Sequence, residues 1–340
     1  MDDADILFEQ RGRLGLITLN RPRALNALTH DMALQLERQL DLWRDDDRIA
    51  VVAIQGAGDR AFCAGGDIRA LYDGGRPGGE RGLNTVRFYA DEYRMNTKIK
   101  RYPKPYISIM DGIVMGGGVG VSIHGSLRIA TERTVFAMPE TGIGLFPDVG
   151  GTYFLPRLPG QTGMWLGLTG SRLQGADTVA GGVCDLYVES AGLDALVEAL
   201  TVGTVPEPVG SRPARAQAAE IDRLFSGASV EAVLADLEAS GSDWAAKQRD
   251  TILTKSPTCT RIAFRQIREG AKLEFEDCMR LEYRLARFCM MQPDFYEGVR
   301  AVIIDKDNAP KWSPATLAEA DDAHVAPAFE PLGAEELVLS

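Results

Sequence analysis

What most restricts this chain is an alternation. From residue 5 to about 200, short β-branched apolar runs (ILFEQ, LGLITLN, VVAIQG, PYISIMDG, LRIAT, CDLYVE) are separated by longer stretches with helical spacing. Strands and helices that alternate in this way bury their apolar faces by layering helix on sheet, which predicts an α/β fold. Thr29 stands where an N-cap belongs, ahead of DMALQLERQLDLW, and Met32, Leu36, Leu40 and Trp43 recur at three- and four-residue spacing as one core-facing stripe. The run VGTVPEPVGSRP, at about 203–213, has no periodicity and reads as a linker. Residues 214 to 305 then carry helical patterns almost throughout, with a helix start at Ser256-Pro257. The expected division is 1–204, an α/β core carrying the chemistry; 205–250, a linker with variable helices; and 251–340, a helical C-terminal region. Its last thirty residues are acidic and poorly patterned, and the expectation is a loosely attached tail.

Charge and cysteine usage narrow the function. A formal net charge of −11 argues against a nucleic-acid partner, because phosphate binding needs a field of the opposite sign. Five cysteines (Cys63, Cys184, Cys259, Cys278, Cys289) form no C-x-x-C pair and are too sparse for a disulfide scaffold, so they read as reduced core residues. The opening MDDADILFEQ resembles neither a secretory signal nor a transit peptide, and no apolar run reaches the ~18 residues of a membrane span. A cytoplasmic location with no membrane partner is expected.

Two glycine clusters carry the first chemical signal. Ala64-Gly65-Gly66-Asp67 and Met115-Gly116-Gly117-Gly118-Val119-Gly120 each follow a strand candidate and precede a helical pattern. Each can present backbone N–H groups, and two such donors converging on one point make an oxyanion hole. The bland alternative is tight strand–helix packing. No phosphate-loop or dinucleotide fingerprint occurs, and the Ser122 segment GVSIH lacks the final glycine of a nucleophile elbow. His30, His124 and His324 lack metal-ligand spacing, so no metal and no cofactor are expected.

Two carboxylates carry the second signal. Glu140 and Asp148 lie in FAMPETGIGLFPDVGGTYF, a stretch otherwise almost without charge, where apolar surroundings raise a carboxyl pKa into the range useful for acid–base work. Beside an oxyanion hole such a pair suits thioester hydrolysis, one group attacking or activating water and the other managing the proton on the departing thiolate. The bland alternative makes Asp148 a helix cap before Val149-Gly150-Gly151.

ITLNRPRALNALT, AFCAGGDI, DGIVMGGGVG and the run from Met138 to Gly151 together resemble the crotonase (enoyl-CoA hydratase/isomerase) superfamily over about residues 5 to 200. SPTC, RQIREG, EYRLARFCM and DFYEGVRAVIIDKDNAPKW extend the likeness to its 3-hydroxyisobutyryl-CoA hydrolase branch. The resemblance implies a crotonase-type spiral of β-β-α turns followed by helices, and an acyl-CoA substrate. It places the oxyanion hole at Gly66 and Gly117, the catalytic glutamate at Glu140 and a second carboxylate at Asp148. It lays the coenzyme A path along Arg23, Leu25, Ala64, Gly65, Asp67 and Ile68, and puts a substrate contact at Glu92, although a charged residue on such a helix is more often on a solvated face. Where hydratases carry their second glutamate, three residues past the middle glycine, this chain has Gly120, which disfavours the alternative of a hydratase or isomerase. The resemblance also implies a homo-oligomer, a trimer or hexamer, with the alternative that the extra helices of the hydrolase branch cover that surface.

Overall fold

The computed structural model of the chain describes residues 4–75 and 80–339, with backbone alone at 80–84, so residues 1–3 of the acidic opening fall outside it. It forms two compact units: Met1–Asp67 with Asp91–Ala137 and Arg172–Arg215, and Ile68–Ala90 with Met138–Ser171 and Ala216–Ser340.

The first unit holds the strands β1 (Ile6–Arg11), β2 (Leu14–Leu19), β3 (Val51–Gly56), β4 (Ala61–Cys63), β5 (Tyr106–Met110), β6 (Ile113–Met115), β7 (Leu127–Ala130), β8 (Val135–Ala137), β9 (Leu173–Gln174) and β10 (Leu186–Tyr187). One sheet runs β1-β2-β3-β5-β7-β10 and a second runs β4-β6-β8-β9. Apart from the antiparallel pairs β1/β2 and β8/β9, neighbours are parallel. Each of the pairs β3/β4, β5/β6 and β7/β8 sends its first strand to one sheet and its second to the other. That stepping is the expected spiral. The strands of the second sheet are two to three residues long, too short for an alternating pattern to show in sequence.

Packing explains why the longer strands read so clearly. Leu14, Leu16, Val51, Ala53, Ile107 and Ile129 form a fully buried cluster on the parallel sheet, each Leu or Ile side chain contributing roughly 1.5–3 kcal/mol by leaving water. The helix His30–Arg44 begins as expected, with Thr29 Oγ1 accepting the Met32 N–H at 3.2 Å, and buries Met32, Leu36, Leu40 and Trp43. Between Thr201 and Ala218 the Pro/Gly/Ser run contains neither helix nor strand.

The second unit is mostly helical. Pro257–Gly270 starts at a capping Ser256, whose Oγ accepts the Cys259 N–H at 3.1 Å, and Phe275–Met291 follows it. The last thirty residues are not a loose tail, contrary to the sequence expectation. Arg284 and Arg287 on Phe275–Met291 pair with Glu336 at 2.8 Å and Glu335 at 2.6 Å, and Ala320, Val325, Phe329 and Leu337 are buried. Glu335 and Glu336, two of the acidic residues that made this segment look solvated, are partners of helix arginines, and its apolar residues follow no period because the segment is built of single turns. All five cysteines are free and buried. No described helix is long and apolar enough to cross a membrane.

Candidate active site

In the first unit, strand β4 ends at Cys63 and the chain turns through residues 64–67 beside the strip that begins at Arg21. The Ala64 N–H donates to the Leu25 carbonyl at 3.0 Å, the Leu28 N–H to Gly65 at 2.8 Å, and the Asp67 N–H to Leu28 at 2.9 Å. In such a parallel bridge the flanking groups are used, so the Gly66 N–H faces away from Leu28. Gly117 is the first residue of the one-turn helix Gly117–Gly120, and its N–H precedes any intrahelical bond. Among the described residues neither N–H is given to another protein group.

A methyl group placed on Gly117 would lie 3.2 Å from the Gly66 nitrogen and 2.8 Å from Glu92 Oε1. Glycine is thus required for space here, and the residues just before the two amides need it for conformation, with φ +133° at Gly65 and +47° at Gly116. Two amides and a carboxylate gather around one small volume, an arrangement able to hold a carbonyl oxygen as it gains negative charge. The packing alternative applies at the neighbouring position: a methyl on Gly118 would lie 2.1 Å from the Cys63 carbonyl oxygen. The expected helix after Gly117 is only one turn, so the donors act as individual amides rather than as the end of a long dipole. Glu92 is 2% exposed and so is not on a solvated face. Its neighbours on the same stripe, Tyr89, Tyr93 and Asn96, are buried with it.

The strip expected to line the coenzyme A path is brought together around these bonds. Leu25, at φ +52°, abuts Ala64; Gly65 and Asp67 flank Gly66; Arg23 is exposed in the turn Pro22–Ala24. Ile68 opens the helix Ile68–Gly74, which belongs to the second unit. Two residues the sequence reading missed hold the strip. Arg21 donates to the Ala27 carbonyl at 2.6 Å and to Asp67 at 3.3 Å, and the Asn26 amide donates to the Ala57 and Ala61 carbonyls at 2.9 and 2.8 Å.

In the second unit Glu140 opens the 3₁₀ turn Glu140–Ile143 and is 4% exposed. The helix Pro293–Val299 clasps this turn at two glycines. A methyl on Gly144, where φ is +72°, would lie 2.2 Å from the Asp294 carbonyl, and one on Gly298 would lie 2.4 Å from the Ile143 carbonyl carbon. The contact is therefore backbone on backbone, and it fixes where Glu140 starts. Asp294 is fastened in turn by the Ser256 hydroxyl at 2.6 Å, while the Ser256 N–H donates to the Thr141 carbonyl at 3.0 Å.

Asp148, also 4% exposed, is not the cap of the following helix. Gly151–Phe154 is entered through Gly150; the Gly151 N–H donates to the Asp148 carbonyl at 2.8 Å, and the amides on either side go to Glu282, Gly150 N–H to Oε2 at 2.7 Å and Thr152 N–H to Oε1 at 2.8 Å. Burial pushes the Glu282 carboxyl up to about 8, against the pull of the Gly150 N–H and with the push of Asp148's charge. Sequence reasoning missed Glu282, although it left a trace: Cys278, Glu282, Leu285 and Cys289 share one helical stripe, and a lone carboxylate on an otherwise apolar stripe marks a buried acceptor. Ser122 spends its hydroxyl on the Gly118 carbonyl at 2.7 Å, which leaves the nucleophile-elbow alternative without a nucleophile. Among the described residues no group of three or more His, Cys, Asp and Glu is placed to hold a metal.

With sheet order, amide cradle and buried carboxylates in view, comparison with known proteins assigns the class. The chain belongs to the enoyl-CoA hydratase/isomerase family, whose model matches residues 14–329. It is 46% identical to the 3-hydroxyisobutyryl-CoA hydrolase, mitochondrial, of Danio rerio, over 99% of this chain and 92% of that one. It is 42% identical to the Homo sapiens protein of the same name, over 98% and 90%. Among solved structures, a carnitinyl-CoA dehydratase from Mycobacterium thermoresistibile shares 42% identity at a TM-score of 0.92, covering 99% of both chains. An enoyl-CoA hydratase from Rhodobacter sphaeroides 2.4.1 shares 39% at 0.93, covering 99% of this chain and 100% of that one.

Proposed function

We propose that this chain is an acyl-CoA thioester hydrolase that splits 3-hydroxyisobutyryl-CoA into coenzyme A and 3-hydroxyisobutyrate. The observation that carries the reading is the 42–46% identity, along nearly the whole chain, to hydrolases of that name. In this reading the N–H groups of Gly66 and Gly117 stabilise the oxyanion on the thioester carbonyl. Glu140 either attacks the carbonyl carbon, giving an anhydride that water opens, or takes the proton from an attacking water. The C–S bond breaks, and Asp148 positions the reacting group or protonates the departing thiolate. Glu92 contacts the hydroxyl of the acyl group, and Arg23, Leu25, Ala64, Gly65, Asp67 and Ile68 line the coenzyme A path.

The names of the two solved structures favour a second reading, water addition or removal on the same scaffold. Against it stands Gly120, a buried glycine at the place where the resemblance puts a hydratase's second glutamate. A free-thiol assay comparing 3-hydroxyisobutyryl-CoA with crotonyl-CoA decides. Thiol release from the hydroxy thioester supports hydrolysis; loss of the crotonyl absorbance without thiol release overturns it.

The same proposal places the reaction in valine breakdown and the protein in the cytoplasm. Five free, buried cysteines suit a reducing compartment. Impaired growth of a deletion strain on valine, and cell fractionation, test these two assignments. The reaction draws on water and the substrate's own coenzyme A, with no cofactor. A trimer or hexamer is the assembly expected of the family, and light scattering on the purified protein measures it.

A further inference from the structure

The turn carrying Asp148 is not one the chain adopts unaided. Val149 and Gly150 both have left-handed backbone, φ +51° and +91°, and a β-branched residue is costly there. Two long-range side chains hold it. Gln266 donates to the Pro147 carbonyl at 2.6 Å on one side of Asp148. On the other side Glu282 accepts the Gly150 and Thr152 N–H groups, one on each carboxylate oxygen. Glu282 is fully buried, and burying its polar carboxyl group carries a desolvation cost that an apolar residue of similar volume avoids. A merely space-filling role does not explain it.

We propose that Glu282 is a positioning residue for Asp148, its two-oxygen clamp on the Gly150 and Thr152 amides fixing the direction in which the Asp148 carboxylate enters the reaction. This rests on the role proposed for Asp148. The residue acts through the backbone, so its loss misplaces Asp148 and leaves substrate binding intact.

The test is a double-mutant cycle on thiol release, with Glu282→Gln, Glu282→Leu, Asp148→Asn and both combinations. Displacement of a reacting group by about an ångström costs up to roughly a hundredfold. Glu282→Leu is therefore expected to lower kcat about a hundredfold and Glu282→Gln, which keeps one acceptor oxygen, about tenfold, both with KM within about twofold. In the Asp148→Asn background neither change costs anything further. If Glu282→Leu fails to fold by circular dichroism, the Gln variant decides alone. A collapsed Asp148→Asn on which the Glu282 losses multiply in full, or a loss confined to KM, overturns the positioning role only. An Asp148→Asn variant as fast as wild type overturns the role of Asp148, and wild-type protein that releases no thiol overturns the hydrolase reading as well.

Discussion

The two units hold the groups proposed to react by opposite means. In the first, the groups of interest are main-chain amides, uncovered by the absence of side chains at Gly66 and Gly117. In the second they are carboxylates, Glu140 and Asp148, carried on turns that distant segments grip by backbone and side chain. A backbone donor survives nearly any substitution and is disabled only by adding atoms. A carboxylate is disabled by an isosteric exchange that adds nothing.

That contrast orders the expected effects. Glu140→Gln should lower kcat for thiol release by roughly a thousandfold, within the range for loss of a general base, and a variant within a few-fold of wild type would move the chemistry elsewhere. Gly117→Ala, which adds one carbon 3.2 Å from the Gly66 nitrogen and 2.8 Å from Glu92 Oε1, should cost roughly a hundred- to thousandfold in thiol release, with some loss of stability as Glu92 gives way. Unimpaired hydrolysis in that variant would break the comparison. Gly144→Ala should act on stability first, by about 2–4 kcal/mol in urea titration, because it combines a left-handed φ with a clash against Asp294.

A further effect concerns pH. The Glu282 carboxyl moves from an ordinary 4.5 up to about 8 in the folded chain, so across that window the native state holds a proton that the unfolded state has lost. Its contribution is full below the lower value and declines as pH rises to the upper one, by at most about 1.4 kcal/mol per pH unit. Glu282→Gln should flatten this part of the stability profile, and equal slopes for both proteins would contradict the burial argument. Smallest of all, exhaustive dialysis against EDTA should leave thiol release unchanged; a loss restored by a divalent cation would bring a metal into the mechanism.

What was legible in the sequence follows from range. Strands β2, β3 and β5 of the larger sheet announce themselves because both of their faces pack, as do the helices whose stripes repeat, and the glycine clusters stand out because local geometry demands them. Glu140 and Asp148 were visible by their isolation in an apolar stretch. The short strands of the second sheet were not, since two or three residues cannot show a period. Glu282 escaped because its partner amides lie 132 and 130 residues away, and the last thirty residues because their buried apolar residues follow no period and their charged partners lie on a distant helix. Long-range polar pairing leaves almost no trace in a single sequence beyond an out-of-place charge.

The clasp on Glu140 and the clamp on Gly150 also set an order of events during synthesis. Glu282 leaves the ribosome 132 residues after Gly150, on the order of ten seconds later at ordinary elongation rates, and Asp294 later still. Until then the turns bearing both carboxylates lack the segments that shape them. On the roles proposed for Glu140 and Asp148, the turns that carry them gain their long-range contacts only once the C-terminal helices have been made, so a chain ended before Glu282 is expected to release no thiol.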